Sequence, residues 1–243
     1  MTLYPVVILA GGLATRLRPI TSGVPKALVP VGGQPFIIQQ LRLLRSNGFR
    51  TAIISAWYKG EMIRERVGNG QALGIDVSYV FDGESPLGTG GAVRHALGRL
   101  DGPFFVLYGD SYLPCNYRDI QAFFSARQEL GLMTVFRNAG RWDPSNVELQ
   151  DGRIVRYEKG LRTPDMQHID YGLGMFRPGA FAHLRDGEAA DLAGVYQKLL
   201  RDDQLLAYEV TQRFYEVGSP AGLQELDALL SATPDQFLRT ESS

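Results

Sequence analysis

A single cysteine, Cys115, occurs in 243 residues, so no internal disulfide can form, and with three scattered histidines it cannot assemble a Cys/His zinc site. Cys115 lies just past the apolar run that ends at Asp110 and reads as a partly buried residue, not as a thiol nucleophile. Neither sign of charge dominates: 25 basic and 26 acidic side chains leave a formal net charge of -1. That balance argues against a general nucleic-acid or membrane-surface binder. No apolar run approaches the length of a membrane span, and no basic region followed by a long apolar segment opens the chain, so the cytoplasm is the expected location. Internal repeats, linkers and low-complexity stretches are missing, as is any hexapeptide repeat that would add a β-helix. Two common phosphate-binding patterns are missing too. Neither GxxxxGK[ST] nor GxGxxG can be read from Gly11 onward, and Gly68, Gly70 and Gly74 have the wrong spacing for the second.

What is present is an alternation of short apolar runs with amphipathic ones. Strand-like segments fall near 5–10, 51–56, 75–81 and 103–109, separated by helical patterns near 35–47, 59–68 and 89–99. This predicts an α/β fold in which a parallel sheet is covered by helices on both faces. After a helix near 118–129 the character changes. Leu132–Phe136, Val147–Gln150, Ile154–Tyr157 and Ile169–Phe176 read as strands joined by short turns such as Asp151-Gly152, and predict antiparallel strands that extend the sheet. Helical patterns return near 179–201 and 219–230, and a polar, loosely held tail is expected from about Thr233. One domain over 1–243 is the default at this length, with one half near 1–115, a second near 116–232 and the tail at 233–243.

The richest stretch runs from Leu9 to Val31, LAGGLATRLRPITSGVPKALVPV. A strand feeds the paired glycines Gly11 and Gly12, after which come Thr15, Arg16, Arg18 and Lys26. Glycines let backbone N–H groups approach one anion closely, while arginine and lysine neutralise several phosphate charges, so the loop suits a polyphosphate. Ligands of such sheets bind at the carboxyl ends of strands. Gly11 and Asp110 both occupy such ends and are expected to face one another.

These motifs resemble those of the sugar-1-phosphate nucleotidyltransferases, the enzymes that make nucleoside-diphosphate sugars. The resemblance rests on LAGG, TRL, PK and VPVGGQP, and continues through PLGTGGAV (Pro86–Val93), YGD (Tyr108–Asp110), YEKG (Tyr157–Gly160), YGLGMF (Tyr171–Phe176) and FYEVGSPAGL (Phe214–Leu223), in the family's order over nearly the whole chain. It is similar in type to the heptose-phosphate guanylyltransferases and muramic-phosphate uridylyltransferases. It implies the nucleotide-diphospho-sugar transferase fold, a Rossmann-like three-layer α/β/α arrangement around a mixed, mainly parallel sheet.

The resemblance also implies roles. Arg16 and Lys26 are the catalytic cations on the triphosphate. Leu9, Ala10, Gly11, Gly12, Thr15, Gly88 and Thr89 bind the nucleotide, with main-chain contacts to base and ribose from the Gly88 loop. Glu158, Lys159, Gly172 and Asp110 bind the sugar phosphate in an acceptor lobe, Glu158 to sugar hydroxyls and Lys159 to phosphate. Asp110 and Glu216 hold Mg²⁺, with glutamate at the second position where aspartate is usual in many relatives. Ala14 stands where the family usually has glycine, and Gly160 where proline often follows the Glu-Lys pair. The substrates implied are a nucleoside triphosphate and a sugar 1-phosphate, with no nucleic acid and no membrane, and association into homo-oligomers stays open. Asp82 and Glu84 could accept hydrogen bonds from a guanine or cytosine amino group, which favours GTP, with UTP next. Two other readings stand beside this one. A phosphocholine-type cytidylyltransferase would surround a quaternary ammonium with aromatics such as Trp57, Tyr112, Tyr117 and Tyr171. A catalytically inactive nucleotide-sugar sensor would not need Arg16, Lys26, Asp110 and Glu216 together.

Overall fold

The computed structural model describes residues 2–12, 17, 23–160 and 162–239. Strand β1 (Val6–Leu9) is followed by the short strands β2 (Pro30–Val31) and β3 (Gln34–Pro35), helix α1 (Phe36–Ser46), β4 (Thr51–Ala56), α2 (Gly60–Val67), β5 (Asp76–Phe81) and α3 (Gly88–Ala96). Next come β6 (Phe104–Tyr108), β7 (Ser111–Tyr112), α4 (Tyr117–Ser125), β8 (Gly131–Phe136), β9 (Val147–Gln150), β10 (Arg153–Tyr157) and β11 (Ile169–Phe176). The last elements are α5 (Leu192–Arg201), β12 (Leu205–Val210), β13 (Tyr215–Glu216) and α6 (Pro220–Ala232). Where one helical pattern was expected over 179–201, a 3₁₀ turn at Pro178–Phe181 and a loop through Asp186-Gly187 precede α5. Gly187 takes a φ of +77°, a conformation that ends helices.

Two compact units emerge, and the chain crosses between them more than once. The first comprises 1–86, 107–114 and 214–243; the second comprises 87–106 and 115–213. In the first unit β1 pairs parallel with β4, from Val6 opposite Ala52 to Leu9 opposite Ser55, and β4 pairs parallel with β5. The end of β6 adjoins β1, where the Gly109 N–H donates to Leu9 O at 3.1 Å. Val6, Val7 and Ile8 are fully buried, as the unbroken β-branched run of an interior parallel strand requires.

A second apolar cluster of the first unit joins Val29, Val31, Phe36 and Leu43 to Tyr112, Val217, Leu223, Leu226 and Leu230. The final helix α6 is thereby fixed to residues near both the phosphate loop and the end of β6. The described tail does not hang free. Phe237 packs on Tyr112 and Tyr215 with ring centroids 6.1 and 5.7 Å apart, and Asp235 accepts from Arg42 at 2.9 Å. Apolar residues in a polar tail find a groove, and burial outweighs the local polarity.

In the second unit the strand order is β12-β8-β11-β6, with β11 antiparallel to β8 and β12 parallel to it. The hairpin β9–β10 turns at Asp151-Gly152, both with positive φ. The antiparallel segment expected from the sequence is therefore present, and the parallel strand β12 is an addition. Phe104, Phe176, Phe181 and Tyr196 form an aromatic core, with Phe176 and Phe181 edge-on at 5.2 Å. Cys115 is buried at 4% exposure, which fits a packing residue. Among the described residues no helix is long and apolar enough to cross a membrane.

Candidate active site

Lys26, Asp110 and Glu216 come from three distant stretches of sequence and meet in the first unit. Lys26 opens the 3₁₀ turn Lys26–Leu28 directly after Pro25, and its Nζ donates to Asp110 Oδ2 at 2.8 Å. The lysine side chain is 16% exposed and the carboxylate 40%. Asp110 is carried on the turn after β6. The two-residue ladder between β13 and β7 sets Glu216 opposite Ser111, and the Val217 N–H donates to Asp110 O at 2.9 Å. Glu216 is thus pinned beside Asp110 by backbone bonds, although the two lie about a hundred residues apart in sequence.

Glu216 is held in turn by the start of α6. Its Oε1 accepts from Ser219 Oγ at 2.6 Å and its Oε2 accepts from the Gly218 N–H. Ser219 Oγ also accepts from the Gly222 N–H at 3.1 Å and caps the helix, with Pro220 at its first position. Removing the Ser219 hydroxyl takes away both bonds. Ser219→Ala is expected to lower stability by about 1 kcal/mol, read as a fall in Tm; an unchanged Tm would show the cap to be redundant.

A Cβ on Gly218 would lie against Glu216 Oε2 and 3.5 Å from Asp110 Oδ2, so the chain is bare of side chain where the two carboxylates converge. Two carboxylates with spare lone pairs, without nitrogen or sulfur ligands, form a hard oxygen donor set. That set fits a divalent ion whose remaining ligands come from phosphates and water. No cluster of three or more His, Cys, Asp or Glu side chains suited to a metal occurs among the described residues.

The other phosphate-loop residues are reached only in part. Leu9 and Ala10 finish β1, the Ala10 N–H donating to Ser55 O at 2.7 Å. Gly11 runs alongside Trp57, where an added Cβ would sit 3.5 Å from the Trp57 Cβ, and Gly12 faces open space. Ala14, Thr15, Arg16 and Arg18 lie outside the described residues.

The second unit brings Thr89 and Lys159 together through a residue that the sequence reading passed over, Asp191. Lys159 Nζ donates to both carboxylate oxygens of Asp191 at 2.8 and 2.9 Å, and Thr89 Oγ1 donates to Oδ1 at 3.1 Å. Asp191 also accepts from the Ala193 N–H at 2.9 Å and caps α5. Burial alone would raise the Asp191 carboxyl, but the bonds from Lys159, Ala193 and Thr89 outweigh it and hold the group below its ordinary value. The sequence placed Asp191 inside a single expected helical pattern over 179–201, and its position as the cap of α5 emerges only in the structure.

Thr89 is a bridge here and not a cap for its own helix. While its hydroxyl donates to Asp191, it accepts from the Leu192 N–H at 2.8 Å. The N–H groups of Gly90 and Gly91 both go to Ala190 O, at 2.8 and 3.1 Å, and a Cβ on Gly88 would meet that same oxygen at 2.6 Å. The glycines of this loop are therefore required by close packing of 188–191.

Glu158 follows the end of β10; its Oε2 accepts from Gln197 Nε2 at 3.2 Å. Gly172, with φ of +93°, sits in a register shift of β11, and its N–H donates to Asp170 Oδ1 at 3.0 Å. Tyr157 Oη donates to Asp170 Oδ2 at 3.4 Å, and burial, then Asp170, pushes the phenol up, so it stays protonated at neutral pH.

A lysine-paired carboxylate at a strand end, a second carboxylate beside it and a glycine turn after the first strand define a site for handling phosphates. The chain matches the nucleotidyl transferase family over residues 5–230 and belongs to it. It is 30% identical over 232 residues to an N-acetylmuramate alpha-1-phosphate uridylyltransferase of Neisseria meningitidis serogroup B, covering 93% of this chain and 98% of that one. It is 28% identical to a mannose-1-phosphate guanylyltransferase of Mycobacterium tuberculosis, of which it spans 61%. In three dimensions it resembles the inositol-1-phosphate CTP transferase of T. maritima, with a TM-score of 0.79 at 20% identity, over 97% of this chain and 98% of that one. The sugar-1-phosphate nucleotidyltransferase family expected from the motifs is the one found, and so is its fold. Enzymes of this family typically use a divalent metal ion.

Proposed function

We propose that the chain transfers a nucleotidyl group from GTP, with UTP second, to a sugar 1-phosphate, in the cytoplasm and with Mg²⁺. An oxygen of the sugar phosphate bonds to the α-phosphorus of the triphosphate, the bond from that phosphorus to the bridging oxygen breaks, and pyrophosphate leaves with the electron pair. The observation that carries this reading is the meeting of Lys26, Asp110 and Glu216 in one unit.

The nucleophile needs no base, because a phosphate monoester has a second pKa of about 6 and is largely ionised at neutral pH. The obstacle is repulsion between anions. At about 4 Å and an effective dielectric near 20, a pair of unit charges repels by roughly 4 kcal/mol. Lys26, held on Asp110 in a partly buried setting, supplies a fixed cation at the triphosphate. Arg16 takes the same task with a planar fork that cannot lose its proton. Asp110 and Glu216 would hold the metal ion, which when bound neutralises phosphate charge and orients the reacting groups. Leu9–Gly12, Thr15, Gly88 and Thr89 take the nucleotide, and Glu158, Lys159, Gly172 and Asp110 take the acceptor.

The test is pyrophosphate release with each of the four common triphosphates against mannose 1-phosphate, glucose 1-phosphate, N-acetylmuramic acid 1-phosphate and phosphocholine. Turnover with GTP or UTP and a sugar 1-phosphate is expected. Turnover confined to CTP with phosphocholine, or none with any pair, would overturn the assignment.

A further inference from the structure

Lys159 has one partner in the structure and another in the proposed function. In the functional reading above it meets the acceptor's phosphate, yet in the structure both oxygens of Asp191 hold it, and Asp191 Oδ1 also takes the hydroxyl of Thr89 from the nucleotide loop. Both side chains of the ion pair are about half exposed, 48% and 58%, and ion pairs that exposed contribute little to stability. Stability is therefore a poor reason for this arrangement.

The backbone around it is laced just as closely. Ala190 N–H donates to Leu87 O at 2.9 Å, Gly90 N–H and Gly91 N–H return to Ala190 O, and Leu192 N–H donates to the Thr89 hydroxyl. The start of α3 and the start of α5 cannot shift independently, because each of these bonds links one to the other. Asp191 sits in the middle of that lacing and carries the lysine.

We propose that Asp191 is a positioning residue that links the nucleotide loop at Gly88–Thr89 to the acceptor lysine, Lys159, so that filling the loop tightens the hold on the ammonium. When the Thr89 hydroxyl turns to a nucleotide, Asp191 Oδ1 loses one of its donors and the Lys159 ammonium becomes its main partner. Lysine is then fixed in one place, with an N–H still free for an incoming phosphate. Triphosphate binding thereby prepares the acceptor site. The inference rests on the assignment of Gly88–Thr89 to the triphosphate and of Lys159 to the acceptor.

The experiment measures the rate at which an amine-reactive reagent labels Lys159, read by peptide mass spectrometry with Lys59 and Lys198 as internal references. It compares the wild type, Asp191→Asn, Thr89→Val and Thr89→Ser, with and without each of the four common triphosphates plus Mg²⁺. Asparagine still accepts from the Ala193 N–H, so α5 keeps its cap and the fold is retained. In the absence of nucleotide, Asp191→Asn is expected to label at Lys159 about threefold faster, because an amide offers one accepting oxygen where the carboxylate holds the lysine nitrogen with two. Saturation with the triphosphate that binds is expected to slow wild-type labelling by about twofold or more, to leave Asp191→Asn and Thr89→Val unchanged, and to act on Thr89→Ser as on the wild type. In steady state, Asp191→Asn is expected to raise the acceptor KM about tenfold with a smaller change in kcat.

Equal slowing by triphosphate in the wild type and Asp191→Asn would mean direct shielding of Lys159 and would overturn the link. Binding of a triphosphate by calorimetry with no change in wild-type labelling would overturn it as well, while leaving the functional reading in place. Failure of every triphosphate to bind would overturn both.

Discussion

Asp110→Asn is expected to fold as the wild type does and to lose at least about a hundredfold in kcat, the usual scale for losing one preorganised charge interaction. The substitution is close to isosteric, and the amide oxygen can still accept from Lys26, so the 2.8 Å contact has a neutral replacement. What disappears is the negative charge that holds Lys26 in place and that, with Glu216, makes the oxygen donor set. The strand and ladder around it do not depend on the side chain, since Val217 N–H bonds to the Asp110 carbonyl. Far-UV circular dichroism and Tm check the fold, and pyrophosphate release across a Mg²⁺ titration checks the chemistry. Wild-type turnover sustained in excess chelator would contradict the metal role of Asp110 and Glu216.

The place of Asp110 just past the end of β6 could be read from the sequence because the apolar run that stops at Tyr108 and the glycine after it are local signals. Strands β1, β4, β5 and β6 were legible for the same reason, being apolar runs bounded by turns. The pairing of Glu216 with Asp110 was expected only through the family resemblance, because no local pattern signals it. Glu216 lies late in the chain, in the stretch assigned from sequence to the acceptor half, yet its two-residue ladder with β7 places it in the same unit as Lys26. A two-residue strand has no periodicity to detect, so β7 and β13 escaped notice. Asp191 was hidden differently. Its chemistry comes from side chains at 89 and 159, and a helix-capping aspartate looks the same whether or not a lysine rests on it. The docked tail was misjudged because its polar composition outweighed Phe237 and Leu238, whose packing on the first unit depends on partners far away in sequence.

Gly109 shows how a packing constraint fixes the site, and Gly109→Ala is the second large effect expected. The residue stands between the end of β6 and Asp110, and its N–H donates to Leu9 O at 3.1 Å. A methyl group there would run into Leu9 O and would lie 2.8 Å from Leu9 C and 3.0 Å from Ala10 Cα. All three are backbone atoms of β1 and of the turn that leads into Gly11 and Gly12, so no side chain can rotate away. The strands must part, and the carboxylate of Asp110 moves relative to the loop that follows β1. Overpacking of this kind costs about 1–3 kcal/mol, which for a chain of this size lowers Tm by roughly 2–12 °C. Displacing Asp110 by about 1 Å would lower kcat on the order of a hundredfold, so activity is expected to fall further than stability alone explains at temperatures well below Tm. Gly98→Ala serves as the control, because a Cβ at that position meets nothing within 4 Å. Thermal melts and pyrophosphate release on the two variants decide the matter: if Gly109→Ala matched Gly98→Ala in both Tm and kcat, the close approach of β1 would not be what holds Asp110 in place.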